Sequence, residues 1–195
     1  MTLEEIEKQV KKCKKCRLYK ERKNAVFGEG NYSAKIVFIG EAPGKNEDLE
    51  GRPFIGSAGK FLNSMLESIN IRREDVFITN IVKCRPPNNR EPLDDEVYIC
   101  TSLYLWNQLE LINPILIVIL GRHSMYRFLP KNLKISDIHG KLKNFINEKT
   151  GKFFNILPLY HPAAALYNGS LREILKKDFK KIPKILEKLR KKDEN

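Results

Sequence analysis

Four cysteines carry the strongest chemical signal in this sequence. Cys13 and Cys16 enclose Lys14 and Lys15 in one short basic turn, while Cys84 and Cys100 lie 16 positions apart much further along. Neighbouring cations favour thiolate over thiol, so the first pair reads as ligands rather than as two unrelated buried thiols. Disulfides are the weaker reading, because the cell interior keeps thiols reduced except in hyperthermophiles. Cys-x2-Cys with a distant second pair suits four thiolates converging on a metal or a cluster. Zinc and a cubane iron-sulfur cluster accept the same thiolate set. The spacing of the second pair is wide for a compact zinc ribbon, which leans toward a cluster stapling remote segments.

Polar and glycine-rich residues follow four apolar runs. Ile36 to Ile39 leads into Gly40-Glu41-Ala42-Pro43-Gly44, and Val76 to Thr79 leads into Asn80. Ile115 to Leu120 leads into Gly121-Arg122-His123-Ser124, and Phe153 to Leu157 leads through Tyr160 to His161-Pro162. Asn80 offers a paired donor and acceptor able to read the edge of a base; capping a strand or bonding a turn is the structural alternative. His161 opens a rigid small-residue loop with an apolar tip at Leu166, suited to entering a groove, although it could equally be a turn histidine. Phe54, in Gly51-Arg52-Pro53-Phe54-Ile55-Gly56, is either a core staple or a platform for stacking a base. Gly40-x-x-x-Gly44 has neither the dinucleotide spacing nor a Walker lysine, so a nucleotide cofactor is disfavoured.

These residues need a scaffold, and the apolar pattern supplies one. Thr2-x-x-Glu5 forms a capping box, and Leu3, Ile6 and Val10 continue it as a helix into the first cysteine turn. Ala58, Phe61, Leu62, Met65, Leu66 and Ile69 keep a 3.6-residue period behind a cap at Ser57. A further helix opens after Pro92 and carries Val97, Cys100, Leu103 and Tyr104. Apolar strands alternating with helices describe a parallel sheet buried on both faces, so the expected fold is α/β, a three-layer α/β/α sandwich around four parallel strands. One domain over 1–195 is expected. Its tail, from Leu171 onward, reads as a docked amphipathic helix that Pro183 kinks or restarts. In open parallel sheets the ligand site forms at the carboxyl ends of the strands, which is where the polar residues gather.

Composition fits this picture. With 42% hydrophobic residues over 195 positions the chain can build a core, which excludes disordered and collagen-like classes. No apolar run is long enough to span a membrane and the first residues do not resemble a signal peptide. The net charge of +12 points to an acidic partner such as nucleic acid, with plain solubility as the alternative. Abundant Lys and Ile with two Gln fit a thermophile, while the many Asn residues weaken that hint.

Taken together, Gly40-Glu41-Ala42-Pro43-Gly44, Glu47-Asp48, the Gly51–Gly56 segment, Thr79-Asn80-Ile81-Val82-Lys83-Cys84-Arg85-Pro86-Pro87 and His161-Pro162-Ala163-Ala164 resemble the family 4 uracil-DNA glycosylases. The likeness runs in order from the first cysteine to the His-Pro loop. It implies a uracil-DNA glycosylase-like fold and hydrolysis of the N-glycosidic bond of deoxyuridine, leaving free uracil and an abasic site and starting base-excision repair. It implies a 4Fe-4S cluster on Cys13, Cys16, Cys84 and Cys100. Because glycosidic hydrolysis needs no electron transfer, the cluster is expected to serve structure and the positioning of DNA-facing loops, with redox sensing as the alternative. Phe54 matches the residue that stacks on the flipped uracil, Asn80 the one that bonds its O4 and N3–H, and His161 the donor to O2. The backbone at Glu41 and Ala42 lines the other side, Glu47 matches a residue near uracil C5, and Asn89 a nearby partner. Leu166 is the expected DNA wedge, since Ala163, Ala164 and Ala165 are too small, with burial against the following helix as the alternative.

Better-known relatives outside that family carry a water-positioning aspartate where Ala42 stands. Glu41 and Glu47 are therefore the candidate water activators, in a dissociative reaction whose uracil anion leaves before water adds. The implied partners are uracil-containing DNA, single- or double-stranded, together with replication or repair proteins. The protein is expected to act as a monomer in the cytoplasm at the nucleoid. A glycosylase of broader deaminated-base range and a non-catalytic metal protein that binds nucleic acid remain as alternatives. Lys11, Lys12, Lys14, Lys15 and Arg17 near the cluster, with Lys83, Arg85 and Arg90, are expected to face DNA, and the C-terminal helix to be merely solvated.

Overall fold

The structure is a computed structural model that describes residues 1–193; the last two residues of the expected 1–195 domain lie outside the described residues. Helix α1 (Leu3–Lys12) starts at the expected capping box, with Thr2 and Glu5 bonding each other's backbone. Strands β1 (Glu29–Gly30), β2 (Ile36–Gly40) and β3 (Phe77–Asn80) are joined through α2 (Lys45–Glu50) and α3 (Ser57–Glu67). Then come α4 (Asp94–Cys100), a π-helical turn at Thr101–Leu105, α5 (Trp106–Ile112) and β4 (Leu116–Leu120). The chain continues through α6 (Arg122–Met125), α7 (Ile135–Ile138), β5 (Lys143–Ile146), β6 (Phe153–Leu159), α8 (Pro162–Tyr167), α9 (Gly169–Phe179) and α10 (Ile182–Asp193).

The strands form one six-stranded sheet in the order β1-β3-β2-β4-β6-β5. Its four central strands run parallel, as their apolar character requires, and the added edge strands β1 and β5 are antiparallel. Alternate strand residues feed two cores. Val37, Ile39, Phe77, Ile117 and Ile119 pack toward α1 and α5, while Phe38, Ile78, Val118, Leu157 and Leu159 pack toward α3, α9 and α10. Two-sided burial accounts for the near-continuous hydrophobic runs. The tail divides as expected, with a break at Lys180-Lys181, Pro183 in the first turn of α10, and Leu175, Phe179, Ile182 and Leu189 buried.

Two local expectations change. The N-cap of α3 is Gly56 rather than Ser57, because the Gly56 N–H is held by the Glu47 carboxylate. Lys83 does not face DNA. It is 1% exposed, and its ammonium donates to Thr79 Oγ1 at 2.6 Å and to the Asn80 carbonyl at 2.8 Å. No helix among the described residues is long and apolar enough to cross a membrane.

Candidate active site and thiol cluster

The carboxyl ends of β2, β3 and β6 meet around a cavity of about 370 Å³ lined by Glu41, Glu47, Phe54, Asn80, Asn89 and His161, with Arg90, Ala42 and other small or proline residues completing the wall. Strand register brings them together. Gly40 pairs with Asn80 across β2 and β3, and the ladder continues past the strand ends through Ile81 N–H to Gly40 O and Val82 N–H to Glu41 O. Gly40 has to lack a side chain, since a Cβ there would stand 2.5 Å from Asn80 Oδ1 and 2.6 Å from Phe54 Cζ.

Asn80 is 2% exposed, and its Oδ1 is buried without a hydrogen-bond partner. A buried acceptor left open costs about 1–3 kcal/mol unless a ligand supplies the donor. The His161 ring lies 5.7 Å from the Phe54 ring, tilted by 31°. Its Nδ1 accepts the Ala163 N–H at 3.1 Å, which places the proton of the neutral ring on Nε2. Burial pushes the pKa of His161 down to about 4, against a smaller opposing pull from Glu47. At neutral pH the ring is therefore an uncharged Nε2–H donor.

Phe54 sits at φ 49°, a left-handed conformation costly for a bulky residue. Its loop is clamped on both sides. Arg73 donates to the Pro53 and Phe54 carbonyls at 2.6 and 3.2 Å. Glu47 accepts from Ile55 N–H and Gly56 N–H through Oε1 and from Gly44 N–H through Oε2, at 2.9–3.1 Å. The Glu47 carboxylate thus lines the cavity with three lone-pair sites already committed. Glu41 makes no such commitment. Burial raises its pKa first of all, with His123 pulling the other way. Asn89 stands exposed at the mouth, its Oδ1 accepting from Arg85 Nε at 2.8 Å. Leu166 is half-buried on α8, and the neighbouring Tyr167, which no sequence pattern singles out, is 92% exposed.

The four cysteines line a second, closed cavity with Arg22, Lys83 and Tyr104. Three of the sulfurs receive hydrogen bonds. Arg22 Nη1 donates to Cys84 Sγ at 2.8 Å, Lys83 N–H to Cys100 Sγ at 3.3 Å, and Lys15 N–H to Cys13 Sγ at 3.5 Å. Cys100 ends α4 where the π-helical turn begins, a distortion that re-aims a side chain. The sequence suggested that nearby lysines would depress the thiols, but burial outweighs them. Cys16 and Cys84 are raised, and Cys100 is pushed up to about 12. Among the described residues no group of three His, Cys, Asp or Glu could hold a single metal ion as they stand.

Residues 27–190 match the Uracil DNA glycosylase superfamily. The chain is 51% identical to the type-4 uracil-DNA glycosylase of Saccharolobus solfataricus over 94% of its own length and 86% of the relative. It is 50% identical to the type-4 enzyme of Archaeoglobus fulgidus, over 93% and 92% of the two chains. For the type-4 enzyme of Thermotoga maritima the identity is 42%, over 95% of each.

Proposed function

The chain belongs to the uracil DNA glycosylase superfamily, in which it is a DNA-repair N-glycosylase that excises uracil, and we propose that Asn80, Phe54 and His161 perform the excision. The observation that carries the assignment is the pairing, in one cavity, of an orphaned buried acceptor on Asn80 with an uncharged Nε2–H donor on His161. Asn80 Oδ1 takes the uracil N3–H and its amide N–H donates to O4. Cytosine reverses both groups, leaving buried polar atoms unpaired, which is how strong discrimination arises. Phe54 stacks on the flipped base.

Cleavage breaks the C1′–N1 bond, and the electron pair goes to N1 and spreads onto O2. His161 Nε2–H donates to that oxygen as its charge grows, without the ring having to change its protonation state. Such a donor is worth about 3–4 kcal/mol in related chemistry. Water then bonds to C1′ and gives up a proton. Glu41 is the candidate acceptor, because it lines the cavity and its carboxylate makes no hydrogen bond among the described residues. Glu47 we assign to holding the Phe54 loop rather than to the water, since three backbone N–H groups already occupy it. Asn89 edges the mouth. The wedge falls to the Leu166-Tyr167 tip of α8, with Tyr167 the member that reaches solvent.

We propose further that Cys13, Cys16, Cys84 and Cys100 hold a 4Fe-4S cluster. Four thiols on one cavity with hydrogen bonds to sulfur support this, and metal binding would displace the protons that burial holds on Cys84 and Cys100. A cluster also interposes its own iron and sulfide, so it needs wider sulfur spacing than a single zinc ion. When bound it supplies a staple between α1, the segment after β3, and α4; the hydrolysis needs no electron transfer. We propose that the protein acts as a monomer on chromosomal DNA at the nucleoid, alongside replication and repair proteins. The test is to incubate the holoenzyme with single- and double-stranded uracil oligonucleotides, identify the released base, and treat the DNA with alkali. Release of free uracil with alkali-dependent scission supports the reading. Release of hypoxanthine or xanthine at equal rates from matched oligonucleotides that carry those bases in place of uracil favours the broader-range alternative, and binding without scission favours the non-catalytic one.

A further inference from the structure

We propose that a cleft beside the uracil pocket is a second subsite, which holds a backbone phosphate of the same DNA strand on Arg127. The inference rests on the uracil-excision reading above. The cleft, about 670 Å³, shares Glu41 as a wall with the uracil cavity and opens beyond the carboxyl end of β4. Apart from Glu41, its other carboxylates lie against cationic or imidazole groups. Glu91 Oε1 lies 3.4 Å from Arg122 Nη2 and 2.9 Å from His123 Nε2, and Asp94 Oδ1 lies 3.7 Å from Lys131 Nζ.

Arg127 differs from them. Its guanidinium carbon lies 5.1 Å from the centre of the Trp106 ring, and its Nε is sealed from solvent with no hydrogen-bond partner. Among the described residues no carboxylate pairs with it, and burial disfavours its charge. Arginine does not escape the cost of burial by losing its proton, so the site is incomplete until an anion arrives. A phosphodiester oxygen pair matches the planar fork of the guanidinium. Tyr98, 57% exposed, and Tyr126 line the same cleft and offer rings to the attached sugar or base. With Glu41, Glu91 and Asp94 also present, the cleft is no general anion trap; it suits one phosphate delivered by a strand already docked in the neighbouring pocket.

Trp106 is the sole tryptophan of the chain and lies against Arg127, so its emission reports occupancy directly. Holoenzyme is titrated with a uracil-free single-stranded oligonucleotide and, separately, with inorganic phosphate. The oligonucleotide is expected to shift Trp106 emission at concentrations where phosphate does not. Arg127→Met is expected to bind the oligonucleotide roughly 5-fold more weakly at about 0.1 M salt, with a log–log salt slope shallower by about 0.7, and Arg127→Lys to restore the slope. An unchanged slope in Arg127→Met, even with lowered thermal stability, would reduce Arg127 to packing on Trp106 and overturn the proposal. Equal responses to phosphate and oligonucleotide would overturn it in favour of a free-anion site. Because the probe lacks uracil, failure of excision and failure of this subsite are read separately.

Discussion

Adding one methyl group at Gly40 should dismantle the uracil pocket while leaving the fold standing. Gly40 lies in a parallel ladder opposite Asn80, and its backbone conformation is open to alanine. The obstacle is space. The new Cβ would stand 2.5 Å from Asn80 Oδ1 and 2.6 and 2.8 Å from Phe54 Cζ and Cε2, where 3.4–4 Å is ordinary contact. Each neighbour must yield by about 1 Å. Neither can do so cheaply: Asn80 is buried at a strand end, and the backbone of Phe54 already abuts Gly59, whose own Cβ would overlap the Phe54 carbonyl. Overpacking of this kind costs about 1–3 kcal/mol, a drop of roughly 3–10 °C in Tm for a chain of this size. A misplacement of about 1 Å at reacting groups costs on the order of 100-fold in rate. Single-turnover uracil release and thermal melting of Gly40→Ala measure both. Gly169→Ala is the control, since a Cβ there meets nothing within 4 Å. A Gly40→Ala enzyme whose rate stays within a few-fold of wild type would refute the idea that contact between Gly40, Phe54 and Asn80 fixes the pocket.

Three further outcomes are expected. His161 has a folded-state pKa of about 4 against 6.5 for the unfolded chain, so its contribution to stability is complete above pH 6.5 and is lost as pH falls toward 4, by at most about 3 kcal/mol. The His161-dependent acid limb of the rate should lie near pH 4 rather than 6.5, and His161→Ala should flatten the pH dependence of Tm over that window. Glu47→Gln replaces one of two accepting oxygens with a donor that faces backbone N–H groups; a fall of about 1.5–3 kcal/mol in stability and a rate loss that high uracil-DNA concentration does not restore are expected. Lys83→Met removes the two bonds that pin Thr79 and the Asn80 carbonyl, and binding of free uracil should weaken by roughly 10-fold, about 1.4 kcal/mol, as measured by calorimetry.

Much of the central sheet was legible because β2, β3, β4 and β6 are buried on both faces and therefore read as unbroken apolar runs. The edge strands were not. Glu29–Gly30 is two residues long, and Lys143–Ile146 alternates between half-buried and exposed positions, so both owe their extended state to the neighbour they pair with. Asn80 and His161 stood out as polar residues ending such runs. Lys83 did not, because residue type argues for a surface position and only the fold reveals the hydroxyl and carbonyl that satisfy its ammonium. Arg127 likewise looks like any surface arginine until Trp106 and the missing carboxylate are seen together. The clamping role of Glu47 was not legible either, since its partners at Ile55 and Gly56 lie across a loop whose path Phe54 bends through a positive φ.

The most direct test of the uracil-reading pocket compares single-turnover release of uracil and of cytosine from the same position of one oligonucleotide, by wild type and by Asn80→Ala. Wild type is expected to release uracil and leave cytosine in place. Asn80→Ala should lose on the order of 100-fold or more of the uracil rate while keeping a cooperative melt, since it removes a buried polar pair aimed at the base rather than a core contact. Equal release of the two bases by wild type, or an Asn80→Ala rate within a few-fold of wild type, would contradict it.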